Sequence, residues 1–310
     1  MMSEIRDMSD LMVAELTEPF IYIANPGNAG DALMACATYD LFDRLMLRYT
    51  SVGHEFLVDL KNIENRIIVL AGGGNFNESG YNTYAELLSR MKGYAKKIIV
   101  LPHTINGNED LLSELGGNII LICRERVSFD HVRKFASGAH VHLAHDMAFM
   151  LDVAGALKYK PNYLMSALKK IATRLIDKQG SRSYLPLEDY KNGFLQTVVW
   201  SNINIDKRKN AFLFRTDIEK TGRQIPDGNI DAALTCNFGA TTSLRARYTV
   251  YHLLQFLNMM TVIHTDRLHV CIAAALLNKE VHLHANNYYK CRAVYEYSIK
   301  NRFPLVVWHD

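Results

Sequence analysis

The chain reads as an α/β protein made of two Rossmann-like domains facing a central cleft. Three observations predict this class. Apolar strand candidates alternate with helical patterns from Phe20 to Leu143, and the alternation resumes from Ala211. The strand candidates run into glycine or polar loops, and right-handed crossovers gather such loops on one edge of a parallel sheet. Finally, His264-Thr265-Asp266-Arg267-Leu268-His269 joins an apolar run, Met259 to Ile263, to the helical run Val270 to Leu277. An Arg and a His two residues apart thus stand where a strand hands over to a helix, the usual ligand position in open α/β sheets. A helix N-terminus attracts anions, an arginine fork grips carboxylate or phosphate, and a histidine can move a proton. The plainer reading pairs Arg267 with a nearby acid and makes His269 a core histidine.

The first strand is Phe20 to Ala24. It runs into Asn25-Pro26-Gly27-Asn28-Ala29-Gly30-Asp31 and a helix predicted from Ala32 to Tyr49. Strand, glycine loop and helix open a Rossmann-like unit. The third glycine of a dinucleotide fingerprint is missing, however, and an acid stands at the helix start. Asp31 would repel a phosphate; it suits either an N-cap or an acceptor for a sugar hydroxyl. Arg66 to Ala71 is the second strand and ends in Gly72-Gly73-Gly74-Asn75. Consecutive glycines let backbone N–H groups approach a ligand, or simply make a tight turn. A helix near Ser79 to Met91 follows. Lys97 to Leu101 is the third strand, closed by Pro102-His103-Thr104. Asn118 to Cys123 is the fourth, ending in Arg124-Glu125, with a helix to about Phe135. Val141 to Leu143 is the fifth, before Ala144-His145-Asp146. His140, His142, His145 and Asp146 are not joined by a Glu or Cys ligand pattern, so no metal is expected there.

The alternation lapses from Lys158 to about Asn210. The chain therefore divides into an N-terminal Rossmann-like domain (1–155), an interdomain segment or helical insertion (156–210) and a C-terminal Rossmann-like domain (211–310). In the last, Ala211 to Arg215 is a strand ending in an arginine and Ile230 to Thr235 a weaker one. Leu244 to Leu257 is a helix. The strand Val281 to His284, then Tyr288-Tyr289-Lys290 and a closing helix to about Lys300, follow the central motif.

Composition excludes several classes. The chain is 49% hydrophobic and 22% charged, which suits a globular protein with a real core. A net charge of +3 does not demand nucleic acid, and no nucleic-acid module or aromatic-basic platform is present. No apolar run of about 18 residues exists to span a membrane, and the acid-rich start lacks the pattern of a signal peptide. The five cysteines lie far apart, mostly within apolar runs, as expected of reduced thiols in a cytoplasmic protein.

Taken in order, these pieces resemble the polysaccharide pyruvyltransferase family. The matching stretches are Gly27-Asn28-Ala29-Gly30-Asp31, Ala71-Gly72-Gly73-Gly74-Asn75 and Leu101-Pro102-His103-Thr104-Ile105. They continue with Arg124-Glu125 and Ser128, Asp146 with Ala148-Phe149, Thr265-Asp266-Arg267-Leu268-His269, and Tyr289-Lys290. Relatives often carry Gln at the position of His103, and no matching stretch is recognised in the region from about Leu157 to Asn210. The resemblance implies a GT-B-like fold and transfer of a pyruvyl group from phosphoenolpyruvate to a sugar of an exopolysaccharide, capsule or cell-wall glycan. The product is a cyclic ketal, and phosphate is released. It implies an anion grip by Arg124, Arg267, His269 and Lys290 and an acid in the glycine loop at Asp31. The expected site is then donor binding by Arg124, Arg267, Lys290, Gly73, Gly74 and Asn75, acceptor binding by Asn28 and His103, and catalysis by His269 and Asp31. No cofactor or metal is implied.

The chemistry agrees with the residues. Phosphoenolpyruvate carries a carboxylate and a phosphate, so its site needs several cations. Ketal formation needs a proton delivered and another removed, roles that suit His269 and Asp31. The rival readings are a nucleotide-sugar glycosyltransferase of the same build and a non-catalytic partner in glycan assembly. A dehydrogenase is disfavoured by the missing fingerprint.

The unmatched segment carries its own signal. Lys158 to Arg182 holds seven Lys/Arg against one acid, Asp177, and Leu164, Leu168, Ile171 and Leu175 recur at helical spacing. A basic amphipathic helix of this kind can lie on an anionic membrane, with a lipid-linked acceptor as the motive; the plain alternative is an ordinary surface helix.

Overall fold

The computed structural model describes residues 2–4, 7–53, 59–159 and 210–310. Its strands form two sheets. The first holds β1 (Met2–Glu4), β2 (Phe20–Ile23), β3 (Tyr49–Val52), β4 (Ile67–Leu70), β5 (Gly73–Asn77), β6 (Lys97–Asn106), β7 (Ile119–Cys123) and β8 (His140–Leu143). Its order is β1-β8-β7-β6-β4-β2-β3, with β5 pairing further along β6. The second holds β9 (Asn210–Phe212), β10 (Val262–Thr265), β11 (Glu280–His284) and β12 (Val306–His309), in the order β12-β11-β10-β9. The pairings in both sheets are parallel. The carboxyl ends of β2, β4, β7 and β8 therefore share one edge of the first sheet.

The helices that position the site are α1 (Met8–Glu15), α2 (Ala29–Arg44), α3 (Thr83–Met91), α4 (Glu109–Ser113), α5 (Arg126–Phe135), α6 (Val153–Lys158), α7 (Ala232–Thr235), α8 (Ser243–Asn258), α9 (Leu268–Leu276) and α10 (Lys290–Val294). The first sheet is buried on both faces, which is why its strands read as continuous apolar runs. Ile21, Ile23, Ile68 and Leu70 face a core shared with Leu88 of α3 and Val132 of α5. Phe20, Tyr22 and Val69 face the opposite way. That second core takes in Leu33 and Phe42 of α2, Leu253 and Phe256 of α8, Ile272 of α9, and Ile263 and Val281 of the second sheet. One apolar core thus runs from the first sheet into the second.

Several elements differ from the sequence reading. The helix expected to reach Tyr49 stops at Arg44, because Met46 turns left-handed (φ 53°) and Tyr49–Val52 pairs with β2. Leu45 and Leu47 continue the apolar content and hide the stop. The third strand does not close at Pro102 but continues to Asn106. Its register shifts between Val100 and His103, and a proline without an N–H is tolerated at such a break. Ile230 to Thr235 is not a strand. Ala232–Thr235 forms a helical turn, with Thr235 N donating to the Asp231 carbonyl at 2.9 Å. The chain before it still touches β9, Ile230 N donating to the Phe212 carbonyl at 3.0 Å, and Asp231 turns its carboxylate to Arg267. Apart from Lys158, the charged and apolar residues of the basic helix expected between 158 and 182 lie outside the described residues.

Candidate active site

The loops at the carboxyl ends of the strands enclose a cleft of about 440 Å³ between the two sheets. Of the ten residues singled out from the sequence, Asn28, Asp31, Gly74, Asn75, Arg124, Arg267, His269 and Lys290 line it. Gly73 and His103 do not. His103 is fully buried behind Gly73 and lies 4.6 Å, centroid to centroid, from Tyr84. Burial pushes its imidazole well below the usual histidine range. It supports the glycine strand from behind, and its direct contact with an acceptor has no support in this geometry.

Asn28 and Asp31 open α2. Asn28 is the N-cap, accepting from Gly30 N at 2.8 Å, and Asp31 accepts from Asn28 N at 2.8 Å to complete a capping box. Asn25 Nδ2 donates to the other Asp31 oxygen at 2.6 Å. Asp31 is therefore not the N-cap but its reciprocal partner. Burial raises its carboxyl above the ordinary aspartate value, against the pull of His269, Lys290 and Arg124.

The two glycines of this loop have spatial jobs. A Cβ on Gly27 would overlap the Asp31 carboxylate, and one on Gly30 would come within 2.5 Å of His269 Nδ1. Gly30 is thus the seat on which the α9 histidine rests, joining two motifs more than 230 residues apart in sequence.

Arg124 ends β7 and is 1% exposed. Its Nε donates to Thr104 Oγ1 at 2.8 Å and its Nη1 to Asp146 Oδ2 at 2.7 Å. The same Asp146 oxygen lies 3.4 Å from His269 Nε2, and Arg124 Nη1 is 3.5 Å from that nitrogen. Asp146 Oδ1 is held by Ala148 N at 2.8 Å. Burial works to raise the Asp146 carboxyl, but His269 and Arg124 hold it well below the usual carboxylate range. Glu125, the N-cap of α5, accepts from Ser128 N at 2.9 Å.

The second sheet supplies a different network. Arg267 spends its whole fork on carboxylates: Nε and Nη2 on Asp231 at 2.8 and 2.5 Å, and Nη1 on Asp217 at 2.9 Å. Asp217 also takes Arg215 Nε at 2.8 Å, Arg215 Nη1 pairs with Glu219, and Glu219 takes Lys290 Nζ at 2.7 Å. An unbroken ionic chain therefore runs Asp231–Arg267–Asp217–Arg215–Glu219–Lys290. Burial works to lower the Lys290 ammonium, but Tyr288 and Glu219 carry it above its usual value. Arg215, Asp217, Glu219 and Asp231 were not among the expected site residues. Only Arg215 left a trace in the sequence, as a cation ending a strand.

The two networks meet at Gly74. The position of a Cβ on Gly74 lies 3.1 Å from Arg124 Nη2 and 3.3 Å from Lys290 Cδ. Arg124 Nη2 and the stem of Lys290 thus meet at one glycine, while the Lys290 ammonium and Arg267 are both held by acids. Among the described residues, no group of three or more His, Cys, Asp or Glu side chains is spaced to hold a metal ion. The five cysteines are free and buried.

The fold and this cleft can be set beside known proteins. The chain resembles a crystal structure of a functionally uncharacterised protein from Klebsiella pneumoniae, with a TM-score of 0.72 and 30% identity over 97% of this chain and 96% of that one. It is 26% identical to a Bacillus subtilis protein described as "Putative pyruvyl transferase EpsO", over 85% of this chain and 80% of the relative. The family profile described as polysaccharide pyruvyl transferase matches residues 28–288, from the Asn28 cap to Tyr288 beside Lys290. The chain belongs to the polysaccharide pyruvyl transferase family.

Proposed function

We propose that the protein moves the pyruvyl group of phosphoenolpyruvate onto two hydroxyls of one sugar, forming a cyclic ketal and releasing phosphate. One observation carries the reading: Asp31 and His269 flank Gly30 in a cleft whose glycine edge is bracketed by Arg124 and Lys290. A donor with a carboxylate and a phosphate finds cations there. A sugar hydroxyl finds a carboxylate whose proton affinity is raised by burial.

The steps follow from these placements. A proton delivered to the enol methylene makes the central carbon electrophilic. A sugar hydroxyl attacks that carbon and gives its proton to Asp31. Phosphate departs with its charge held by Arg124 and Lys290; a second hydroxyl closes the ring and its proton leaves on the phosphate, while the proton taken by Asp31 replaces the one given to the methylene. His269 gives the first proton or protonates the leaving phosphate, and Asp146 orients it. Asn28, Asn75, Asn237 and the exposed ring of Tyr81 form a neutral wall suited to a sugar. In this reading 1–155 carries the acceptor wall and part of the donor site in one Rossmann-like domain. Residues 211–310 bring the Arg-Leu-His motif in the other, in a GT-B-like arrangement. The acceptor belongs to an exopolysaccharide, capsule or cell-wall glycan and is held on a lipid at the cytoplasmic face of the membrane, with the basic segment from Lys158 to Arg182 touching anionic headgroups. No described helix is long and apolar enough to cross a bilayer.

The test is incubation with phosphoenolpyruvate and a panel of lipid-linked and aryl glycosides, with nucleotide sugars in parallel. Mass spectrometry should find the ketal, and phosphate should appear with it. His269→Asn should fold normally and turn over about 100- to 10,000-fold more slowly, with Asp31→Asn losing most turnover as well. Sugar transfer from a nucleotide sugar, with no phosphate from phosphoenolpyruvate, would replace this reading with a glycosyltransferase.

A further inference from the structure

The Tyr288 hydroxyl is buried and makes no hydrogen bond of normal geometry among the described residues, the Lys290 side chain being the donor nearest to interacting with it. A buried donor without a partner costs about 1–3 kcal/mol, so such groups call for an explanation. This one points at a particular place. It lies 3.3 Å from where a Cβ on Gly74 would stand, the point also approached by Arg124 Nη2 at 3.1 Å and the Lys290 stem at 3.3 Å. Arg124 Nη2 makes no hydrogen bond among the described residues either, since its partners are taken by Nε and Nη1. Lys290 Nζ stands over the Tyr288 ring, 4.8 Å from its centroid, so the ring also props the ammonium. Gly74 itself lines the cleft. Its φ is not left-handed, so its lack of a side chain serves space rather than backbone conformation.

We propose that Tyr288 is a donor-site residue, its hydroxyl hydrogen-bonding an anionic oxygen of the donor lodged in the hollow above Gly74. The inference rests on the pyruvyl-transfer reading for the identity of the donor. The hollow offers an oxygen a guanidinium N–H and a phenol, beside the stem of Lys290, whose ammonium is held by Glu219. The phenol differs from the two cations because no carboxylate of the protein competes for it. It thus rewards an occupant and adds no charge to an already crowded network. Either the carboxylate or the phosphoryl oxygen of the donor fits this chemistry, and separate probes tell them apart.

The experiment is calorimetric titration of phosphoenolpyruvate, inorganic phosphate and pyruvate into the wild-type chain, Tyr288→Phe and Gly74→Ala, with thermal melts as the folding control. Tyr288→Phe keeps the ring beneath Lys290 and deletes only the hydroxyl. It should bind phosphoenolpyruvate about ten- to a hundredfold more weakly at unchanged melting temperature. In turnover, KM for phosphoenolpyruvate should rise and KM for the sugar should not. Gly74→Ala should lose binding by filling the hollow. If the loss in Tyr288→Phe is shared by phosphate, the phosphoryl end occupies the hollow; if by pyruvate, the carboxylate end. Tyr288→Phe binding phosphoenolpyruvate as tightly as wild type would overturn the assignment. A wild-type chain that binds phosphate but not phosphoenolpyruvate would sink the pyruvyl-transfer reading alone. The Tyr288→Phe effect on phosphate would then decide whether the hollow is an anion site. Wild type binding none of the three probes would overturn both.

Discussion

Arg124 and Arg267 face the same cleft, are both buried and follow the ends of strands, yet they are wired oppositely. Arg124 has one carboxylate partner, Asp146, and one neutral partner, Thr104, leaving Nη2 turned toward Gly74. Arg267 has every nitrogen on a carboxylate. A guanidinium with a spare N–H can receive a ligand without losing anything. One that is already forked twice must give up a partner first. On the proposed reading Arg124 serves the donor, while Arg267 holds Asp217 and Asp231 in place and Lys290 stands between the two conditions.

The largest expected effect is at Arg124. Arg124→Met leaves Asp146 buried without its partner, which typically costs about 3–5 kcal/mol, and should also abolish phosphoenolpyruvate binding. Urea titration reads the first and calorimetry the second. A smaller effect on donor binding is expected at Arg267. Arg267→Gln should lower stability by a comparable amount, about 3–5 kcal/mol, by unpairing Asp231, while weakening donor binding less than Arg124→Met does. A normally stable Arg267→Gln chain that binds no donor would break the comparison and restore Arg267 as the principal anion ligand. The smallest effect concerns pH. Asp146 is held below its ordinary value of 3.8 when folded, so its contribution to stability is full above that value and is lost as pH falls through the folded one. The wild-type urea midpoint should therefore drop below about pH 4 more steeply than that of Asp146→Asn. Equal slopes would show that the Asp146 contacts contribute nothing to the acid limb.

The same contrast marks how far the sequence was legible. Strand-end positions placed Arg124, Arg267, His269 and Lys290 on the cleft because topology alone sends such residues there. What each touches was not legible, since Asp146, Asp217, Glu219 and Asp231 arrive from loops with no periodicity. Arg124 and its partner Asp146 are 22 residues apart, and Arg267 and Asp231 are 36 apart. The plainer reading of Arg267, paired with an acid, proved the better description of its contacts. For Asp31 both readings survive in one residue: it closes the capping box and also lines the cleft. His103 went the other way. Its place between proline and threonine at a strand end resembled a site position, but β6 continues past it and buries it. Tyr288 gave no signal, because an unsatisfied hydroxyl exists only once the surroundings are built.

The apolar core that passes from the first sheet through α2, α8 and α9 into the second carries a consequence for how the protein cycles. Two lobes joined by a bare linker can swing apart to trade substrates. Here, a swing would peel Phe42 and Leu33 away from their neighbours on α8 and α9 and wet a large greasy seam. The lobes are therefore glued at the back, and traffic must pass through the mouth at the front. On the proposed reading, a cleft held this way admits the end or an exposed loop of a glycan more readily than the middle of a packed strand. The seam, whose helices α2 and α9 also carry Asp31 and His269, would then set which part of a glycan reaches them.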